Sequence, residues 1–431
     1  MKELIKSLLV EFHQKLPLKC ISREIQLPTD TEKIISVCGV RRCGKTYVLY
    51  DTINNLIYKN IAKAEQILFL SFDDERLELK TNELDLVLES YKELHPKQKM
   101  EDVYIFFDEI QMADGWEKFV RRIYDSVSRK IFISGSNSKL LATEIATSLR
   151  GRTLQFEIFP LNFKEFCKFK DIDTNYYILE NKALIVNGFQ QYISKGGFPE
   201  LVLNNYNYFE NTLQEYYHIM LYKDLIERYE IRNIAVLKYF ISRLLSNLTK
   251  PTSINKIFLE IKSAGLKIDK NVLYELANML EAIYFIQRLT KFDKSVLKTE
   301  LSNEKKTYFI DNGMVNALKY QFSNDFGKLF ENTVFHWLRA QIPFQRGLFF
   351  YKGKKECDFV WMDRDKPFKI IQACWNIKDK DTLKREVDGL IEASAYLNCK
   401  HISIITPEHE EEINTGNLKI QIIPAWKEML K

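Results

Sequence analysis

The stretch Gly39-Val40-Arg41-Arg42-Cys43-Gly44-Lys45-Thr46 constrains this chain more than any other, because it fits the pattern G-x-x-x-x-G-K-[ST] of a phosphate-binding loop. An apolar run before it, Ile34-Ile35-Ser36-Val37-Cys38, reads as a buried strand. After it, Tyr47-Val48-Leu49-Tyr50 opens a helical pattern that continues through Ile53 and Leu56. Strand, loop and helix in that order are the context the motif requires. The glycines let the backbone curl so that its N–H groups point inward at a di- or triphosphate. The N-terminus of the new helix adds partial positive charge. Gly39, Arg41, Arg42, Cys43, Gly44, Lys45, Thr46 and Tyr47 are the expected cradle. Lys45 would reach the β- and γ-phosphates of ATP, and the Thr46 hydroxyl would ligate Mg²⁺. Cys43 either has its pKa lowered by the helix terminus or, more simply, fills a variable position.

Further along, Gln66-Ile67-Leu68-Phe69-Leu70-Ser71-Phe72 is a second strand candidate, followed by a helix-rich, lysine-rich stretch to about 100. Val103-Tyr104-Ile105-Phe106-Phe107 then reads as a strand buried on both faces, with Asp108 and Glu109 at its C-terminal edge. Open α/β sheets place their ligands at that edge. The run resembles a Walker B motif, in which Asp108 holds Mg²⁺ and Glu109 polarises the attacking water. Another apolar strand, Ile131-Phe132-Ile133, ends in Ser134-Gly135-Ser136-Asn137-Ser138. Ser136 or Asn137 could hydrogen-bond the γ-phosphate or the water, or cap the next helix. Arg150 and Arg152 precede a last strand, Thr153 to Phe159, and Arg152 is the better placed to reach into a neighbouring subunit's site as an arginine finger.

At 431 residues, with 46% hydrophobic and 28% charged residues, the chain expects two or three globular domains. Seven cysteines, odd in number and without C-x-x-C spacing, suit reduced thiols in a cytoplasmic protein. Neither a signal peptide nor an apolar run of about 18 residues is apparent, so no membrane association is expected.

Taken together, the phosphate loop, Phe107-Asp108-Glu109, the Ser-Gly-Ser-Asn turn, Leu149-Arg150-Gly151-Arg152 and Phe159-Pro160-Leu161-Asn162-Phe163 resemble the archaeal-type AAA+ ATPases. Gly196-Gly197-Phe198-Pro199-Glu200 and Tyr222-Lys223-Asp224-Leu225 extend the resemblance. It implies an α/β P-loop core over 1–159 with a parallel five-stranded sheet, and a helical lid over 160–236. A winged helix over 237–322 would follow, from helical patterns at Leu237–Leu248, Ile254–Ala264 and Asn271–Leu289 and two β-like segments around a charged turn, Asn303-Glu304-Lys305-Lys306. The segment 237–330 carries 15 Lys and Arg against 9 Asp and Glu, which favours a phosphate partner such as duplex DNA. Lys291, Lys294, Lys298, Lys305 and Lys306 are the wing cations that could contact backbone phosphates, although Glu275 and Glu281 mark the groove helix.

The last region, 323–431, has the order helix, three strands, helix, strand, and resembles the PD-(D/E)xK nuclease core. Glu331 and Asp358 match the family's helix glutamate and strand aspartate; in that family two carboxylates on adjacent strands hold Mg²⁺ with a lysine beside them. The Glu-x-Lys step reads Gln372-Ala373-Cys374, and Lys378 stands past the expected strand end. A neutral amide is a poor Mg²⁺ ligand and a thiol cannot replace an ammonium, so Glu331, Asp358 and Gln372 read as a vestigial site. The sequence therefore expects an ATP- and Mg²⁺-dependent ATPase, able to form homo-oligomers, whose ATP or ADP state controls DNA or protein binding. A protein-binding switch with little turnover, or an ATP-regulated DNA nuclease, are the alternatives.

Overall fold

The computed structural model describes residues 1–136, 149, 151–266, 268–318, 325–342, 347–416 and 418–431. The chain divides into two compact units: Met1–Phe159 with Ala282–Tyr284, and Pro160–Glu281 with Phe285–Lys431.

The first unit is built on one parallel sheet. Its strands are β1 (Ile34–Gly39), β2 (Ile67–Ser71), β3 (Tyr104–Asp108), β4 (Ile131–Gly135) and β5 (Thr153–Ile158), in the order β2-β3-β4-β1-β5. Every residue of β1, β3 and β4 is buried, as continuous apolar strands covered on both faces must be. Around the sheet run α1 (Lys2–Gln14), α2 (Lys45–Tyr58), α3 (Asp85–Leu94) and α4 (Trp116–Ser126). α1 buries Ile5, Leu9 and Phe12, one stripe at helical spacing, and Phe12 stacks on Phe69 of β2 at 4.5 Å between ring centroids. The parallel order brings the C-terminal ends of β1, β3 and β4 side by side at one edge, with Val37 level with Ser134 and Phe107 level with Ile133. The phosphate loop, Asp108 and Ser136 all leave from that edge.

The second unit begins with the helices Phe163–Phe169 and Leu179–Lys195. The helices Ile234–Ser246, Ile254–Ser263 and Lys270–Ala282 then lead to a three-stranded sheet of order β6-β8-β7, where β6 is Thr252–Ser253, β7 Ile286–Thr290 and β8 Glu304–Phe309. Two sequence expectations change here. The third helix stops at Ala282 instead of Leu289, because Tyr284 turns left-handed at φ 61° and Ile286–Leu289 pairs as β7 with β8. The charged turn is instead the start of β8, whose strand register runs from Glu304 through Lys305 and Lys306 to Phe309.

The helix Phe326–Gln341 opens the C-terminal part. A mixed six-stranded sheet follows, of order β13-β14-β12-β11-β10-β9. Its strands are β9 (Leu348–Lys352), β10 (Glu356–Asp363), β11 (Lys366–Ala373), β12 (Ile402–Thr406), β13 (Glu411–Thr415) and β14 (Leu418–Pro424). The helix Lys380–Leu397 connects β11 to its parallel neighbour β12. The expected helix, three strands, helix and strand are present in that order. The hairpin β13–β14 extends them at the edge and lay beyond the sequence reading, since Glu411 and Glu412 obscure its alternation.

Candidate nucleotide-phosphate site

Gly39 ends β1 at φ 155°, and a Cβ there would lie 2.1 Å from the Ile158 carbonyl oxygen on β5, so only glycine allows the loop to leave the sheet at this point. Arg42 and Gly44 take left-handed conformations at φ 65° and 96°, which wind the chain into the first turn of α2. Arg23, buried and missed by the sequence reading because no pattern marks it, braces the loop from behind. Its guanidinium donates to the Cys43 carbonyl at 2.9 Å and to the Phe159 carbonyl at 3.0 Å.

Lys45 is 4% exposed, and its ammonium donates to the carbonyls of Gly39 at 3.3 Å and Val40 at 3.2 Å. It also faces Glu109 at 3.3 Å. Burial alone would lower the Lys45 pKa, but Glu109 and the neighbouring acids outweigh it and hold the ammonium charged. The Thr46 hydroxyl donates to Asp108 at 2.8 Å, and Ser134 donates to the other Asp108 oxygen. Burial pushes the Asp108 carboxyl above its ordinary range. Glu109 is also buried, yet Lys45, Gln111 and Arg41 hold it below the usual glutamate range, so it stays ionised beside an acid that is harder to ionise.

Sequence reasoning thus located Lys45, Thr46, Asp108 and Glu109, and the fold brings all four together. It missed Ser134, whose Oγ accepts from the Glu109 N–H at 3.0 Å while donating to Asp108, and so ties the two acids together. A fully buried hydroxyl inside an otherwise apolar strand was the available signal. Ser136 is buried at the end of β4, and Asn137 and Arg150 lie outside the described residues. Arg41 is half-buried, Arg42 is exposed, and Tyr47 is 55% exposed in the first turn of α2. Cys43 departs from one sequence option: its thiol is fully buried, donates to the Ile158 carbonyl at 3.3 Å, and is pushed up in pKa by burial. Arg152 precedes β5, level with the start of β1 and so at the opposite edge of the sheet from the phosphate loop. It pairs with Asp125 at 3.2 Å and lies over the Tyr124 ring.

Residues 31–167 match the family model described as an AAA domain, and residues 186–325 match one described as a domain of unknown function. An uncharacterized protein of Methanocaldococcus jannaschii is 36% identical over 420 residues, 95% of this chain and 91% of that one. The chain belongs to the archaeal-type AAA+ ATPase family. An uncharacterized relative in Haemophilus influenzae is 27% identical over 403 residues, covering 92% of this chain and 94% of its own. Among solved structures, the Aeropyrum pernix ORC1 protein in complex with DNA aligns over 73% of this chain and 91% of its own, with 12% identity and a TM-score of 0.31. AMPPCP-bound DnaA from Aquifex aeolicus aligns over 64% and 86%, with 14% identity and a TM-score of 0.24. No helix among the described residues is long and apolar enough to cross a membrane.

In the second unit of this AAA+ chain, the sequence-selected trio also converges. Asp358 on β10 accepts from the Ala373 N–H at 3.0 Å, and its own N–H donates to the Gln372 side-chain oxygen at 3.1 Å. The Gln372 amide donates in turn to Glu386 at 2.5 Å. Glu331, on the helix Phe326–Gln341, accepts from the Tyr308 hydroxyl at 2.8 Å. A residue the sequence placed elsewhere joins them. Lys306, expected on an exposed wing, is 1% exposed and donates to Asp358 at 2.7 Å and to Glu331 at 3.0 Å. It cannot contact a nucleic-acid backbone from there. The β8 register turns its side chain inward, which the charged context of its sequence concealed.

Proposed function

We propose that this protein binds ATP with Mg²⁺ and hydrolyses it, and that nucleotide state sets what its second unit holds. One observation carries the reading: the Lys45 ammonium and the Thr46 hydroxyl, on the phosphate loop, already meet Glu109 and Asp108 across the sheet at 3.3 and 2.8 Å. The donor set fits the metal, since a hydroxyl and a carboxylate are hard oxygen ligands. Thr46 and Asp108 would hold Mg²⁺, and the ion would neutralise charge on the phosphate oxygens. Lys45 would exchange Glu109 for the phosphates. Glu109, released and ionised, would orient the attacking water and take its proton. The test is γ-phosphate release together with nucleotide binding. Lys45→Ala is expected to lose binding, and Glu109→Gln to bind ATP while turnover falls by about 10²-fold or more. Turnover equal to wild type in both variants removes the proposal.

For the partner of the second unit we favour a protein over duplex DNA, with occupancy alone as the switch. Lys306 is withdrawn from the wing, while Val296, Leu297 and Leu301 beside it are 72%, 64% and 68% exposed. A pull-down in ATP and in ADP, run with Glu109→Gln, separates occupancy from turnover. Binding to a random duplex that weakens steeply with salt would restore the DNA reading. For 323–431 we propose a restriction-endonuclease-like domain that does not cleave, because its second carboxylate position is the amide Gln372, engaged with Asp358 and Glu386.

A further inference from the structure

We propose that Lys306 is a built-in cation that takes the place of the divalent metal in the nuclease-like domain and closes its carboxylate cluster to metal. The inference rests on the non-cleaving reading of that domain and supplies its physical cause. The Lys306 ammonium donates to one oxygen each of Asp358 at 2.7 Å and Glu331 at 3.0 Å, and pairs by charge with a Glu356 oxygen at 2.8 Å. Of the ammonium's three N–H donors, two are therefore committed to buried carboxylates, and the third carboxylate lies within ion-pair distance. The acceptors come from two elements, β10 and the helix Phe326–Gln341, and the cation comes from a third, β8.

Three carboxylate oxygens converging on one point describe a hard-cation site. Such ions hold oxygens at roughly 2.0–2.6 Å, so these ligands, 2.7–3.0 Å from the ammonium, would need to close in by about 0.1–1.0 Å. The ammonium already holds that point and is enclosed. The Tyr308 ring stacks on Phe335 at 3.9 Å between centroids, its hydroxyl donates to Glu331, and the Phe350 ring lies 5.8 Å from the Lys306 nitrogen. Lys306 is 1% exposed and Asp358 5%, and only Glu356, 37% exposed, faces solvent, so a phosphodiester cannot approach the ammonium itself. A catalytic lysine supplied from a different strand would need such an approach, so Lys306 is not the missing nuclease lysine moved to a new position. The place the sequence pattern reserves for that lysine is Cys374, buried, with its thiol pushed up to about 12 by burial. The acids around Lys306 outweigh the burial that opposes its charge and hold its pKa well above the ordinary value.

The test uses the nucleotide-free full chain carrying Asp108→Asn, which removes the first unit's metal ligand, and follows free Mn²⁺ by electron paramagnetic resonance. With Lys306 present, no manganese uptake is expected. Lys306→Met is expected to take up about one ion per chain and to melt higher in manganese by several degrees. Adding Asp358→Asn to Lys306→Met should abolish both responses. Without its cation the cluster leaves buried carboxylates unpaired, so Lys306→Met is expected to fold poorly until manganese is supplied. A Lys306→Met chain that folds yet takes no manganese, or stays unfolded in its presence, overturns the proposal. So does manganese uptake by the Lys306 chain that Asp358→Asn abolishes. A separate arm incubates the wild-type chain with plasmid duplex and Mg²⁺. Cleavage lost in Asp358→Asn would overturn the non-cleaving reading itself, whatever the manganese result.

Discussion

Asp108 is the meeting point of three hydroxyls, those of Thr46 at 2.8 Å, Ser71 at 3.5 Å and Ser134. Ser134 also accepts from the Glu109 N–H, so it sets the angle between the proposed metal ligand and the proposed general base. Ser134→Ala leaves a buried N–H without its partner, a loss of about 1–3 kcal/mol. Turnover is expected to fall about tenfold or more, while ATP binding measured without Mg²⁺ stays at the wild-type level. Loss of both together would mean that the hydroxyl supports the loop instead of the two acids. Cys43 gives a second residue-scale prediction. Six of the seven thiols are buried and Cys20 is half-buried, so a disulfide-exchange reagent should titrate no more than about one thiol in the native chain and all of them in denaturant. Fast modification of Cys43 that ATP blocks would contradict the buried, raised-pKa thiol described above. Lys45, Thr46, Asp108 and Glu109 were legible because local spacing encodes them. Ser134, Arg23 and Lys306 were not, since their partners stand 20 or more residues away and only the folded sheet brings them close.

At the scale of elements, the Gly196-Gly197-Phe198-Pro199 segment shows what a family motif can encode besides chemistry. Gly196 is left-handed at φ 76°, and a Cβ there would lie 2.0 Å from the Asp311 carboxylate. Gly197 donates its N–H to Asp311 at 2.7 Å, and Asp311 also accepts from the N–H groups of Gly313 and Met314 in the first turn of the helix Asn312–Leu318. The motif is therefore a dock for one buried carboxylate. Gly196→Ala combines a forbidden backbone angle with a clash, and a loss of about 2–4 kcal/mol is expected in urea unfolding of the second unit. A loss under about 0.5 kcal/mol would show that the carboxylate can move aside. Burial raises the Asp311 pKa to about 6 despite those three N–H donors. A raised acid keeps its proton in the folded chain while the unfolded chain releases it, so its contribution to stability falls as pH rises from about 4 to about 6. The stability difference between wild type and Asp311→Asn should accordingly shift in favour of wild type by about 2–3 kcal/mol between pH 7 and pH 4. A pH-independent difference would place the Asp311 pKa at its ordinary value. The strands of the first sheet and most helices were legible from periodicity. β7 was read as helix because its apolar run continues that of Lys270–Ala282, and the break at Tyr284 depends on a backbone angle that no side-chain pattern records.

The whole molecule raises the question of how many chains make one working site. Arg152 stands at the edge of the sheet opposite its own phosphate loop, so a part in hydrolysis would have to be played on another chain's nucleotide. Within its own chain it is held by Asp125, a pair whose carboxylate is 44% exposed and therefore cheap to break in water. Two defective chains can decide the matter. Arg152→Ala keeps the phosphate loop and Glu109 and lacks the arginine; Glu109→Gln keeps the arginine and lacks the proposed base. If Arg152 works in trans, each alone should fall by about 10²-fold or more, and an equimolar mixture should regain a substantial fraction of wild-type turnover. The recovery should grow with protein concentration, and light scattering in a slowly hydrolysed ATP analogue should show assemblies larger than one chain. Arg152→Ala turnover equal to wild type would remove the residue from catalysis. A low rate that the mixture does not raise would mean that Arg152 serves its own chain, by anchoring α4 and the start of β5 through Asp125 and Tyr124.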